Sequence, residues 1–307
     1  MKSIYNYRLL LFFSTLVFGA CGSDDNDMPQ EITEFIDNGT GVYNFIYDDG
    51  DVEKIIRVYY HIPENVARDA RILLVFHGAG RNARDYRDAL IAPANSKKFI
   101  VVAPEFSITN FPNGDAYNLG NVYIDGDQPS ATTLNEERKW AFSIIDPLFD
   151  NLLLQIDNSS TTYDIFGHSA GAQFAHRLLM FLPQSRVDKV VASAAGWYTF
   201  PDTSISFPYG FDNSILSTTS LSNFYTQNLH IQVGANDNDP NAANLRRNTQ
   251  ADAQGLHRRS RAENFFNYAQ QQTQNTAIPF NWSFSIIPLA DHDFRIAATN
   301  AATFLYN

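Results

Sequence analysis

The stretch Ile72-Leu73-Leu74-Val75-Phe76 contains no polar side chain, and residues 99–103 repeat the pattern around Ile100-Val101-Val102. A strand with one wet face alternates apolar and polar residues, so short unbroken apolar runs mark strands covered on both faces, as in parallel sheets. Further strand-like segments occur at 161–166, 190–195, 229–233 and 282–287. Segments with helical spacing lie between them. Trp140, Ile144, Leu148 and Leu152 fall on one side of a helix predicted over 134–156, and Phe174, Leu178 and Phe181 on one over 170–182. Two late helices are predicted over 258–272 and 294–305, and two early antiparallel strands over 42–47 and 55–62. Strands alternating with helices predict an α/β fold: a mostly parallel central sheet with helices on both faces. Residues 41–307 show no repeat and no break in composition. They are read as one domain, long enough for a single sizeable core.

Residues 197–228 break this rhythm. They carry Trp197, Tyr198, Phe200, Phe207, Tyr209, Phe211, Phe224 and Tyr225 with little helical pattern. A long insertion of this kind reads as a lid or a substrate wall, with Trp197 and Tyr198 as substrate-binding residues. The bland alternative is a loop packing its aromatics onto the core.

The strand over 161–166 runs into Gly167-His168-Ser169-Ala170-Gly171, and a helix runs out of it. Strand, tight turn and helix in that order form a nucleophile elbow, whose crowded turn needs the small residues Gly167, Ala170 and Gly171. The turn lifts the Ser169 hydroxyl above the sheet, beside the N-terminus of the following helix, where backbone N–H groups stabilise negative charge. A serine hydroxyl needs a base to accept its proton. His292, in Ala290-Asp291-His292-Asp293-Phe294 after the last strand, is better placed than the other six histidines. A carboxylate must then hold the other imidazole nitrogen. Asp237, after the strand 229–233 and the turn Gly234-Ala235-Asn236, is the first choice, with Asp239 its rival. The stretch 237–241 lacks the Gly and the distal Glu of a calcium loop, so no metal is expected.

His77-Gly78-Ala79-Gly80 follows the buried run at 72–76 and resembles the His-Gly oxyanion loop of esterases and lipases. With Ser169, Asp237 and His292 it stands in the chain order of the α/β-hydrolase superfamily, which the sequence resembles from about residue 52 to its end. The elbow, flanked by Phe166 and Ala172, is most similar to the polyhydroxybutyrate-depolymerase and feruloyl-esterase group. The resemblance implies an oxyanion hole made by the amides of Ala79 and Ala170, with Gly80 next in line after Ala79. His77 then has a structural role in the loop. It also implies cleavage of carboxylic esters through an acyl-enzyme, without a cofactor. Extracellular esters such as acyl or feruloyl groups on polysaccharides are the expected substrates, with polymer and lipid esters left open. A peptidase or thioesterase of the same fold, or a binding lipoprotein without catalysis, are the alternatives. A dehalogenase would carry a carboxylate at position 169.

The N-terminus predicts export. Lys2 and Arg8 precede an apolar run over 9–20, broken only by Ser14 and Thr15. The run falls short of the roughly 20 residues that span a bilayer and has the form of a signal peptide, residues 1–20. Val17-Phe18-Gly19-Ala20-Cys21 resembles a lipobox, with Phe18 where Leu is usual. That implies a lipid on Cys21, and residues 21–40 then form the lipidated Cys and an acidic tether. Ser23-Asp24-Asp25-Asn26-Asp27 resembles the tract that sends lipoproteins of Bacteroidota-type bacteria to the cell surface. The expected location is the outer membrane or cell surface of a Gram-negative bacterium, with the membrane as a partner through the anchor. Cys21 is the only cysteine, so no internal disulfide forms. The net charge of −11 and the absence of a long basic run argue against nucleic acid. The doublets Arg246-Arg247 and Arg258-Arg259 read as solvated helix charges.

Overall fold

Within residues 36–307, the part of the chain that the computed structural model describes, all eight predicted strands are present and join one sheet. The predicted signal peptide, Cys21 and the acidic tract lie outside the described residues.

In chain order the elements are β1 (Gly39–Asp48), β2 (Glu53–Ile62), β3 (Ile72–Phe76), α1 (Ala83–Ala89), α2 (Ile91–Lys97), β4 (Ile100–Pro104), α3 (Ile145–Ile156), β5 (Tyr163–His168), α4 (Ala170–Phe181) and β6 (Val187–Ser193). They continue with α5 (Leu221–Tyr225), β7 (Asn228–Gly234), α6 (Thr249–Ala253), α7 (Arg258–Thr273), β8 (Ser283–Ile287) and α8 (Phe294–Leu305). The spatial order is β1-β2-β4-β3-β5-β6-β7-β8. β2 pairs antiparallel with β1 and with β4, and every pairing from β4 to β8 is parallel. This is the predicted α/β-hydrolase architecture.

The unbroken apolar runs follow from two core layers. Ile72, Leu74 and Phe76 of β3 enter one layer, with residues of α3, α4 and α7. Leu73 and Val75 enter the other, with residues of α1, α2 and α8. Side chains alternate across a strand, so a strand with a dry layer on each side has no position for a polar residue.

Two expectations change. The helix predicted over 134–156 begins only at Ile145. Leu134 forms an isolated bridge to Tyr123, and Glu137–Lys139 and Phe142–Ile144 are short 3-10 turns. Pro147 explains the late start, because a proline fits in a helix's first turn but clashes with the preceding turn of a longer helix. The apolar spacing at Trp140 and Ile144 arises because both are buried against the same core.

The insertion at 197–228 is present, but its aromatics do not form a lid. All eight are buried within the layer that holds α4 and α7. Tyr198 stacks on Phe265 of α7, with ring centroids 4.4 Å apart, and Phe207 meets Phe181 of α4 edge-on. Each such ring removes 150–250 Å² from water, which favours the core position over an exposed flap.

Candidate active site

Ser169 sits between β5 and α4 with φ 58° and ψ −114°. This is a strained conformation for a residue with a side chain, and the neighbourhood enforces it. Its N–H donates to the Ser193 carbonyl on β6 at 2.9 Å, and its carbonyl accepts from Gln173 N of α4 at 3.1 Å. α4 begins so close to β3 that a Cβ at Gly171 would lie 1.9 Å from the Phe76 carbonyl oxygen, so only glycine fits there. Ala170 is the first residue of α4, and its amide therefore has no acceptor within the helix.

Asp237 and His292 meet because the loops after β7 and β8 are joined. Ala235 N donates to the Ile287 carbonyl at 2.9 Å and Asn236 N to the Ala290 carbonyl at 2.7 Å. A Cβ on Gly234 would come within 2.4 Å of the Asp291 carbonyl oxygen, so a glycine is again what allows the approach. His292 Nδ1 donates to Asp237 Oδ2 at 2.6 Å, and Asp237 is buried. Asp293 caps α8 by accepting from the N–H groups of Arg295 and Ile296, which keeps His292 in the loop just before the helix. The rival Asp239 is exposed, and its carboxylate accepts from the Asn241 N–H.

Ser169 and His292 line one cavity of about 210 Å³, with Gly78, Ala79 and Gly80 along another part of its wall. A Cβ at Gly78 would lie 3.6 Å from Ser169 Cβ, which shows how near the loop runs to the serine. His77 holds that loop. Its Nδ1 donates to the Gly78 carbonyl at 3.0 Å, and Nε2 accepts from Phe106 N at 3.0 Å. Burial lowers the pKa of His77 to about 4, so the ring is neutral, as this bonding pattern requires.

The structure adds residues that the sequence reading missed. His168 is buried with its ring centroid 4.5 Å from that of His292. Burial, then the neighbouring His292 and Arg258, hold its pKa well below the usual value, so it presents a neutral face to His292. Tyr86 and Phe294 stack with centroids 4.2 Å apart and also line the cavity. Arg258, read as a solvated charge, is 3% exposed and places Nη1 3.5 Å from Asp237 Oδ1. A signal for it existed: a cation at the start of a predicted helix faces the positive end of the helix dipole, an unfavourable place without another partner.

Trp197 and Tyr198 do not line this cavity. The guanidinium groups of Arg177 and Arg246 lie 4.1 Å and 5.0 Å from the centre of the Trp197 ring, and Tyr198 is fully buried. Their aromatic surface is used in packing, which corrects the expectation that they bind substrate. Among the described residues, no group of three or more His, Cys, Asp or Glu is arranged to hold a metal ion.

The chain is similar to poly(aspartic acid) hydrolase-1 from Sphingomonas sp. KT-1, at 34% identity and a TM-score of 0.82, over 89% of this chain and 100% of that one. It is also similar to a poly(3-hydroxybutyrate) depolymerase from Bordetella parapertussis, at 27% identity and a TM-score of 0.79, over 88% of this chain and 90% of that one. A fluorophosphonate-binding serine hydrolase of Staphylococcus aureus shares the fold at 14% identity and a TM-score of 0.53, over 88% of this chain and 100% of that one. No family model matches the chain, and no curated protein matches it in sequence.

Proposed function

This chain belongs to the α/β-hydrolase superfamily of serine hydrolases, and from that premise we propose that it cleaves carboxylic esters with Ser169 as nucleophile, His292 as base and Asp237 as the triad acid. The observation that carries the assignment is the 2.6 Å bond between His292 and Asp237, in a cavity that Ser169 and His292 both line.

His292 Nε2 takes the Ser169 proton as the oxygen attacks the ester carbonyl. The bond from Nδ1 to Asp237 fixes the tautomer that leaves Nε2 free to do so, and stabilises the imidazolium that forms. The amides of Ala170 and Ala79 stabilise the tetrahedral oxyanion. The imidazolium then protonates the departing alcohol, leaving an acyl-enzyme. Water, deprotonated by His292, attacks that intermediate and releases the acid and the free serine. Ser169→Ala is expected to abolish turnover of p-nitrophenyl acetate and labelling by a fluorophosphonate probe. Wild-type turnover in that variant would remove the assignment.

The substrate we propose is an ester carried on an extracellular polymer, such as an acyl or feruloyl group on a polysaccharide. The cavity volume supports this reading. It lies below the roughly 300 Å³ at which pockets begin to enclose a drug-sized ligand, so it suits one acyl unit with the rest of the chain across the surface. A second reading, an amide bond in a carboxylate-bearing polymer, is favoured by the similarity to the poly(aspartic acid) hydrolase. Acid release from acetylated xylan, feruloylated arabinoxylan and poly(aspartic acid), compared at equal enzyme, separates the two.

The location follows the same logic. Export through residues 1–20 and a lipid on Cys21 would hold the enzyme where such polymers lie. Metabolic labelling with an alkyne fatty acid is expected to mark the wild-type chain and not Cys21→Ser. Equal labelling of both would overturn the anchor.

A further inference from the structure

We infer that Arg258 is a positioning residue for the triad, its guanidinium holding the Asp237 oxygen that His292 leaves unused so that the other oxygen stays aimed at the imidazole. The inference rests on the reading of Ser169, Asp237 and His292 given above.

Asp237 Oδ2 receives His292 Nδ1 at 2.6 Å, and Oδ1 faces Arg258 Nη1 at 3.5 Å. The torsion that turns a carboxylate about its Cβ–Cγ bond is broad, so a single contact does not fix its plane. A contact on each oxygen does. The asymmetry also matters. A short bidentate arginine pair would engage both oxygens, whereas one long contact on Oδ1 leaves Oδ2 to the histidine.

Arg258 is itself held in place. It is the first residue of α7, and its Nη2 donates to the Ala243 carbonyl at 3.2 Å. The next residue, Arg259, donates its backbone N–H to the Asp237 carbonyl at 3.0 Å. The start of α7 therefore grips Asp237 through main chain and side chain together. The arrangement is costly to folding. The guanidinium is buried, its Nε has no hydrogen-bond partner, and it sits at the helix end that disfavours cations. A burdensome charge against the triad acid, in the wall of the same cavity, points to a role in the reaction.

The test is a double-mutant cycle on kcat and KM for p-nitrophenyl acetate, with folding of each variant checked by thermal melting. Arg258→Met is expected to lower kcat about tenfold or more with KM within about twofold, because only the transition state senses the aim of the imidazole. Arg258→Lys should recover part of the loss. In an Asp237→Asn background, Arg258→Met should change kcat by less than about twofold, since the carboxylate that Arg258 aims at the imidazole is already gone. An equal fall in both backgrounds would mean a general structural role and overturn the inference. So would wild-type kcat in Arg258→Met, or a KM raised several-fold with kcat kept, which would make Arg258 a substrate contact. If Arg258→Met does not fold, Arg258→Gln and Arg258→Lys carry the comparison, and a Lys variant no faster than Gln overturns it. If neither Met nor Gln folds, Lys is compared alone in the two backgrounds, and an equal effect in both has the same meaning. Wild-type kcat in Ser169→Ala or Asp237→Asn would instead defeat the triad reading itself.

Discussion

His292 Nδ1 stands 2.6 Å from Asp237 Oδ2 although 55 positions separate the two residues in the chain. The contact is set by the backbone bonds that join the loops after β7 and β8, and by the close approach at Gly234. It predicts a sharp difference between two neighbouring acids. Asp237→Asn should lower kcat for p-nitrophenyl acetate by about 10³-fold or more, because the amide presents the wrong hydrogen-bonding group to the ring. Asp239→Asn should leave kcat within about twofold of wild type. Steady-state kinetics on the two purified variants checks this.

Gly171→Ala tests the packing beneath the elbow. The added methyl would meet the Phe76 backbone oxygen at 1.9 Å, and backbone cannot turn aside as a side chain can. The expected loss of stability is on the order of 3 kcal/mol, read from urea unfolding. An unchanged unfolding midpoint would mean that the turn is looser than described.

Tyr198→Ala distinguishes a core residue from a substrate contact. Tyr198 is fully buried against Phe265 and His176. Truncation should cost about 3–5 kcal/mol in unfolding free energy while the folded fraction keeps its KM for aryl acetates. A raised KM with unchanged stability would return Tyr198 to the substrate site.

Stability should decline on acidification between about pH 6.5 and 4. Burial lowers His77 and His230 from the usual 6.5 to about 4, and holds His168 and His176 well below it. In that window the unfolded chain binds protons at these histidines and the folded chain does not, so each step down in pH favours unfolding. His230 bonds to Ser283 and Ser285 and stacks on Phe304, away from the candidate triad. Replacing His230 with Gln should therefore flatten part of the slope of melting temperature against pH. An unaltered slope would show that this ring already charges within the fold.

The strands and the elbow were legible because each is a local pattern. A strand dry on both faces must be apolar throughout, and a turn that crosses another strand at van der Waals distance must carry small residues. Asp237 and His292 could be placed from chain order at strand ends, but choosing between Asp237 and Asp239 needed the loop-to-loop bonds. Tyr198 and Trp197 were misread because an aromatic ring looks the same in sequence whether a helix or a ligand covers it. The start of α3 was misread because apolar spacing outweighed Pro147. Arg258 was passed over because charged doublets on helices usually face solvent, although its place at the first turn was itself a warning.

The backbone at position 169 limits which amino acids could ever do its work. At φ 58° a β-branched side chain crowds its own main chain, so threonine is barred there despite having the required hydroxyl. Cysteine is not barred in this way. Any drift of this site toward new chemistry is therefore steered to an unbranched nucleophile, the sulfur of cysteine or the carboxylate of aspartate, and away from a secondary alcohol.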